Sequence, residues 1–156
     1  MKIIIMMGLP GSGKSTWAKS LEGNNKILSS DNYFTDSDGN YNWTIEEAHK
    51  GHEDCLRRFI EEIHNHKYCA KLLDKKDYVI VDNTNVRIHD ISPYVRIAQA
   101  YGFDVEVKYM DTDIEIAKSR NVHRVPEAAY DRMKKNFDFL LETWPKDFHV
   151  IEYVKG

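Results

Sequence analysis

At 156 residues the chain is long enough to bury one substantial core, and residues 1–156 are expected to form a single domain. Its formal net charge of −3 argues against a dedicated duplex-coating protein, which carries a strong basic excess, but leaves room for a local basic groove. Cys55 and Cys69 show neither CxxC nor metal-ligand spacing and read as reduced thiols, and the opening apolar run is too short for a signal peptide or a membrane span. A soluble cytoplasmic protein is expected, with no membrane attachment and no obligate protein partner.

The first element is Ile3-Ile4-Ile5-Met6-Met7, an apolar run that predicts a buried strand. It enters Gly8-Leu9-Pro10-Gly11-Ser12-Gly13-Lys14-Ser15-Thr16, which fits the P-loop template of Gly, four residues, Gly-Lys-Ser. Thr16-Trp17-Ala18-Lys19-Ser20-Leu21 then reads as the start of a helix, so the motif has its strand–loop–helix context. Gly8, Gly11 and Gly13 let the backbone come close to a phosphate. The loop's N–H groups, through Ser12 and on to Thr16, form a concave nest at the positive end of the helix dipole. Lys14 adds a point charge for the β- and γ-phosphates, and Ser15 offers a hydroxyl to Mg²⁺. The motif predicts binding of a nucleotide's phosphates and is silent about what receives one.

Glu22-Gly23-Asn24-Asn25 stops the first helix, and Lys26-Ile27-Leu28-Ser29 predicts a second strand. Ser30-Asp31-Asn32-Tyr33-Phe34 sits where that strand ends, before a polar loop with turn chemistry, Thr35-Asp36-Ser37-Asp38-Gly39-Asn40. Thr44-Ile45-Glu46-Glu47 has a capping-box pattern, opening a long helix with Cys55, Leu56, Phe59, Ile60 and Ile63 on one face. Residues 65–76 read as a helix end plus another helical turn. Tyr78-Val79-Ile80-Val81 predicts a buried strand running into Asp82-Asn83-Thr84-Asn85. Ile88 to Tyr101 reads as a helix broken or started near Pro93 and ended by Gly102. Phe103 to Met110 alternates as a strand. A second capping-box pattern, Thr112-Asp113-Ile114-Glu115, starts a helix through about Arg120. Pro126 opens the next helix, which ends before Pro145, and Phe148 to Val154 predicts a last strand. This alternation implies an α/β fold, a central parallel sheet of about four or five strands with helices on both faces. Ligands of such sheets sit at the carboxyl ends of the strands, which gathers the P-loop, Asp31, Asp82 and the Thr112 helix around one crevice.

A kinase needs a base near the acceptor hydroxyl and positive charge on the transferring group. Asp31, just past the second strand, is the base candidate; a helix cap or turn role suits the same position. Asp82 stands where a Walker-B carboxylate reaches a metal directly or through water, or else closes an Asx turn, and Asn83 and Asn85 add amide donors beside it. Arg120, His123 and Arg124 form a basic group at the end of the Thr112 helix. They either close over a triphosphate or complement the helix dipole. His49 and His52 lack further ligands for a metal and read as solvated helix-face residues or acceptor contacts.

Taken together these residues resemble the polynucleotide-kinase-like P-loop kinases, over nearly the whole chain. The likeness lies in Gly8 to Trp17, Ser30-Asp31-Asn32-Tyr33, Ala48-His49, Val81-Asp82-Asn83-Thr84-Asn85, Pro93-Tyr94-Val95 and Arg120-Asn121-Val122-His123-Arg124-Val125-Pro126. The resemblance implies an ATP-dependent, Mg²⁺-assisted kinase of the 5′-hydroxyl of DNA or RNA, consisting of a kinase domain without a phosphatase module. It matches Asp31 to the general base, Lys14 and Ser15 to the nucleotide and metal contacts, and Arg120 and Arg124 to lid arginines. Two positions depart from it. Asn83 falls where the phage enzyme has an acceptor-side aspartate, a role Asp82 covers one residue earlier. Phe34 replaces the arginine that holds the acceptor's phosphate, and an aromatic there stacks on a base instead. Two other readings stay open: a kinase of a nucleoside, small metabolite or hydroxymethylated base in DNA, and an ATP-binding module that regulates a partner.

Overall fold

The computed structural model describes residues 1–69, 75–122 and 124–156. Its centre is β1 (Lys2–Met7), in which every residue after Lys2 is buried. Such a run has no polar face, so it must be covered on both sides. Around it lie β2 (Asn25–Leu28), β3 (Tyr78–Asp82), β4 (Val105–Asp111) and β5 (Ile151–Lys155), in the order β2-β3-β1-β4-β5. All four pairings are parallel, with Ile5 facing Val81 on one side and Val107 on the other.

The helices are α1 (Lys14–Ser20), α2 (Asp31–Phe34), α3 (Ala48–Tyr68), α4 (Ile88–Ala100), α5 (Ile114–Ser119) and α6 (Glu127–Glu142). Alternation along β1 divides the core. Ile3, Ile5 and Met7 join Phe59 and Ile63 of α3, Tyr94 and Val95 of α4, and Tyr130 and Phe137 of α6. Ile4 and Met6 face the other way, onto Ala18 and Trp17 of α1 and Met110 of β4. Each of the buried isoleucines contributes roughly 2 kcal/mol through removal of apolar surface from water. Among the described residues no helix is long and apolar enough to cross a membrane.

Two expected helix starts are corrected. α3 begins at Ala48 with Glu47 as its N-cap and no side-chain cap, so Thr44 does not close a capping box. α5 is capped by Asp113, whose carboxylate accepts from the N–H groups of Glu115 and Ile116. The Thr112 hydroxyl instead donates to the Ser12 carbonyl (2.9 Å), tying β4's exit to the P-loop. α4 runs through Pro93 rather than breaking there. Of the ambiguous stretch 65–76, residues to Tyr68 continue α3 and residues 70–74 lie outside those described.

Because every strand is parallel, β1, β2, β3 and β4 deliver their carboxyl ends to one edge. β1 ends between β3 and β4, where the connections turn to opposite sides of the sheet. The loop that leaves β1 therefore opens at the switch point of the sheet.

Candidate active site

A cavity of about 990 Å³ opens at that edge. One end is walled by Pro10, Gly11, Gly13, Lys14, Ser15 and Thr16. Gly11 (φ 79°) and Gly13 (φ 95°) are left-handed, a conformation glycine adopts without a steric penalty. A Cβ on Gly11 would lie 2.2 Å from the Ala117 carbonyl oxygen, so α5 can sit against the loop only if residue 11 has no side chain. Gly8 and Ser12 stand behind this wall. The Gly8 N–H donates to Thr84 O (3.1 Å) and the Ser12 N–H to Leu9 O (3.1 Å). These bonds shape the loop from within.

The Lys14 ammonium donates to the carbonyls of Gly8 (3.0 Å) and Leu9 (2.8 Å). Burial pushes its pKa down to about 8, and the pull of Asp82 and Asp31 offsets this only in part. A buried cation facing carbonyls and distant carboxylates is short of negative charge, which suits it to a phosphate. Beside it Ser15 Oγ donates to Asp82 Oδ2 (2.5 Å), joining the start of α1 to the end of β3. A hydroxyl and a carboxylate oxygen at this spacing are hard oxygen donors of the kind Mg²⁺ takes. The residues present therefore fit a triphosphate and its metal.

The other end of the cavity holds Ser30, Asp31, Tyr41, Trp43, Ala48 and His52. Asp31 opens α2, immediately after the Ser29-Ser30 turn that leaves β2. That turn is braced from two elements. Asn83 Oδ1 accepts from the Ser30 N–H (2.8 Å) and Oγ (3.0 Å), while its Nδ2 donates to Cys55 Sγ (3.5 Å). Arg58 donates to the Ser29 carbonyl (2.9 Å) and to Asp54 (2.7 Å). Asn83 lines the cavity and, through the same carboxamide, supports the turn that carries Asp31. Asn85 is buried and donates to Met6 O (2.7 Å).

Phe34 is also corrected. It is buried against α3, where a Cβ on Gly51 would lie 2.5 Å from its ring, and it does not line the cavity. The aromatic side chains that do line this end are Tyr41 and Trp43, just past the polar loop read at 35–40 and given no role there. Their signal was two aromatics directly after an Asp-Gly-Asn turn, where a purely solvated loop has no use for them.

Arg120 caps the C-terminus of α5 and lines the cavity. The helix stops at Ser119, so Arg124 does not share its face. Asn121 closes the segment on itself, Nδ2 donating to Val125 O (2.8 Å) and Oδ1 accepting from Val125 N (3.0 Å). Arg124 lies in that tight turn at φ 53°, exposed and not itself among the lining residues, although Asn121, Val122 and Val125 of the same turn are. Its pairing with Arg120 is corrected accordingly, and His123 lies outside the described residues. Among the described residues no group of three or more His, Cys, Asp or Glu side chains is placed to hold a metal ion.

The family model AAA_33, described as an AAA domain, matches residues 3–140. The chain belongs to this family of P-loop kinase domains. Such kinases use ATP, typically with Mg²⁺. The chain is 31% identical over 144 residues to human NEDD4-binding protein 2, covering 86% of this chain and 8% of that protein. It is 26% identical to the bifunctional polynucleotide phosphatase/kinase of Schizosaccharomyces pombe, over 98% of this chain and 33% of that protein. It therefore spans a third or less of the length of these relatives. Among solved structures it superposes on a chain of the Pnkp1/Rnl/Hen1 RNA repair complex with a TM-score of 0.68 at 19% identity, over 92% of this chain and 46% of that one. That likeness is one of fold.

Proposed function

We propose that this domain is an ATP-dependent phosphotransferase acting on the 5′-hydroxyl of a polynucleotide, DNA or RNA. The observation that carries the reading is one cavity with Lys14, Ser15 and Asp82 at one end and Asp31 at the other. A donor cradle alone binds a nucleotide. A carboxylate across the same space from it supplies the second half of a transfer reaction. The polynucleotide acceptor is suggested by the Schizosaccharomyces pombe relative and by the Asp82-Asn83-Thr84-Asn85 and Arg120-to-Pro126 segments.

In this reading Gly11, Gly13, Thr16 and Lys14 hold the triphosphate, and Ser15 and Asp82 hold Mg²⁺. The metal, when bound, supplies charge that offsets the build-up on the phosphate oxygens. Asp31 accepts the proton of the acceptor hydroxyl as that oxygen bonds to the γ-phosphorus. The bond from phosphorus to the bridging oxygen breaks, and ADP leaves with the electron pair. Arg120 spreads its planar guanidinium charge over the equatorial oxygens. The domain works in the cytoplasm and needs no protein partner for the transfer.

One observation favours a second acceptor class. With Phe34 buried, Ser30, Tyr41, Trp43, Ala48 and His52 line the cavity with Asp31, and among these described residues no lysine or arginine takes the place of a phosphate-binding arginine, which suits a nucleoside, small metabolite or hydroxymethylated base. The test is incubation with γ-labelled ATP, Mg²⁺ and oligonucleotides bearing a 5′-hydroxyl. Label on the oligonucleotide end supports the first reading. Label only on a nucleoside or metabolite supports the second, and ATP binding with no transfer to any acceptor overturns both.

A further inference from the structure

The segment between α2 and α3 is a closed hairpin rather than a slack loop. Thr35 and Tyr41 form an antiparallel bridge, and the Asn42 N–H donates to Phe34 O (2.8 Å). Asp36 locks the turn. Its Oδ1 accepts from the N–H groups of Asp38 (2.9 Å) and Asn40 (2.8 Å), and its Oδ2 from Asn40 Nδ2 (3.0 Å). Thr35 Oγ1 ties the outgoing strand to the Asp31 carbonyl (2.9 Å). The Tyr41 ring meets Phe34 edge-on at 6.4 Å. The hairpin is thus fixed to α2 at both ends, and it brings the Tyr41 phenol back onto the carboxylate that opens α2. Tyr41 Oη donates to Asp31 Oδ1 at 2.9 Å.

Resting on the phosphotransferase reading, we propose that Tyr41 is a positioning residue for the base: its O–H holds Oδ1 of Asp31 and leaves Oδ2 to take the acceptor's proton. A carboxylate on a short helix has free rotation about its own bonds, and a base is effective only in one orientation. The backbone of Asp31 is already fixed through Ser29, Ser30, Asn83 and Arg58, so the side-chain rotation is the freedom that remains. The hairpin removes it. A tyrosine suits the task because its rigid ring reaches from a separate element. Burial, with Asp31 adding to it, pushes the phenol's pKa up, so it stays a donor across the working pH range. The other charged or titratable groups around this space are Lys14 from α1, His52 from α3, Asp82 from β3, Arg120 at the end of α5 and Lys155 from β5.

The experiment compares Tyr41→Phe, Asp36→Ala and Asp31→Asn with the wild-type domain in label transfer to a 5′-hydroxyl oligonucleotide across pH. Tyr41→Phe keeps the ring against Phe34, so the thermal midpoint and the KM for ATP stay at the wild-type values. Its kcat falls about tenfold, the effect of one hydrogen bond to a charged group, and the acid limb of the profile moves to higher pH. Asp36→Ala loosens the hairpin and moves the same limb in the same direction. A Tyr41→Phe enzyme with wild-type kcat and acid limb, beside an inactive Asp31→Asn, overturns the positioning role and leaves the phosphotransferase reading standing. Transfer by Asp31→Asn at the wild-type rate, or no transfer by the wild type, overturns that reading and the positioning role with it.

Discussion

The two ends of the cavity are built by different means. The donor end is made of backbone: two left-handed glycines, an α5 carbonyl that forbids a side chain, and a lysine held by carbonyls of its own loop. Its parts lie within one short stretch of sequence, joined to β3 by a single hydroxyl–carboxylate contact. The acceptor end is made of side chains from separate elements: Asp31 on α2, Tyr41 and Trp43 on the hairpin, and His52 on α3, with Asn83 bracing it from below. A backbone cradle recognises a group that is the same in every nucleotide, so it has little reason to vary. A side-chain wall can be rebuilt for a new acceptor without disturbing the sheet. The difference places chemistry common to the family at one end and specificity at the other.

The sharpest way to break this division is Asp31→Asn. It keeps the shape of the site and removes the base, so kcat should fall by about 10²–10⁴ while ATP affinity, measured by calorimetry, stays at the wild-type value. A matching loss of ATP binding would show that the two ends are not separable.

The arginines come next. Arg120 lines the cavity and Arg124 does not. Arg120→Ala should lower kcat on the order of 100-fold, as expected for a guanidinium that meets charge developing in the transition state. Arg124→Ala should change it by less than about twofold, the usual result for an exposed side chain away from the site. Steady-state kinetics of the two variants side by side check the assignment. Equal losses would mean that Arg124 turns inward when a nucleotide binds.

This pair also shows what was legible in the sequence. The alternation of strands and helices in a parallel sheet, the P-loop and the crevice at the carboxyl edge follow from periodicity and a contiguous motif, and all three are found. Arg120 and Arg124 read as one basic group at the end of the Thr112 helix. The helix stops at Ser119, and the Asn121–Val125 hydrogen bonds close a local turn that holds Arg124 at φ 53°. Thr112 was a plausible cap by pattern, but the P-loop carbonyl of Ser12 claims its hydroxyl. Asn83 stands at the strand end and lines the cavity, and its carboxamide also holds Ser30. Tyr41 and Trp43 were hidden because a hairpin locked by Asp36 looks, in sequence, like any polar loop. For Thr112 and Asn83 the partner comes from a distant part of the chain.

Lys14 gives a pH test of the donor end. Its ordinary pKa of 10.5 falls to about 8 in the fold, mainly because burial penalises the charged form. The unfolded chain therefore binds more protons than the folded one between about pH 8 and pH 10.5, and stability rises with pH across that window. Below pH 8 the folded state carries the whole penalty. Lys14→Met should accordingly stabilise the nucleotide-free domain at neutral pH by roughly 2 kcal/mol, once the lost bonds to Gly8 and Leu9 are set against the relieved burial. That advantage should shrink as pH passes through 8, read as the difference between denaturant midpoints of variant and wild type. A triphosphate requires the charged lysine, so wild-type ATP affinity should fall by up to about tenfold per pH unit above 8. A flat affinity profile over that range would mean that Lys14 is not short of negative charge.

A substitution at Trp43 separates the two acceptor classes. Its ring is 47% exposed, beside Tyr41 at the acceptor end of the cavity, where it gives up favourable burial. A polynucleotide offers bases to stack there, and such a contact is lost as roughly 1–3 kcal/mol on removal of the ring. For a 5′-hydroxyl oligonucleotide, Trp43→Ala should therefore raise the acceptor KM by about fivefold to tenfold and leave kcat and the KM for ATP unchanged. A mononucleoside or small metabolite placed at Asp31 has less to lay over the ring, so its KM should move less than the oligonucleotide's. Comparing the variant on a chain and on a single nucleoside shows whether the acceptor wall is built for a strand. An equal change on both would mean that Trp43 serves the hairpin rather than the substrate.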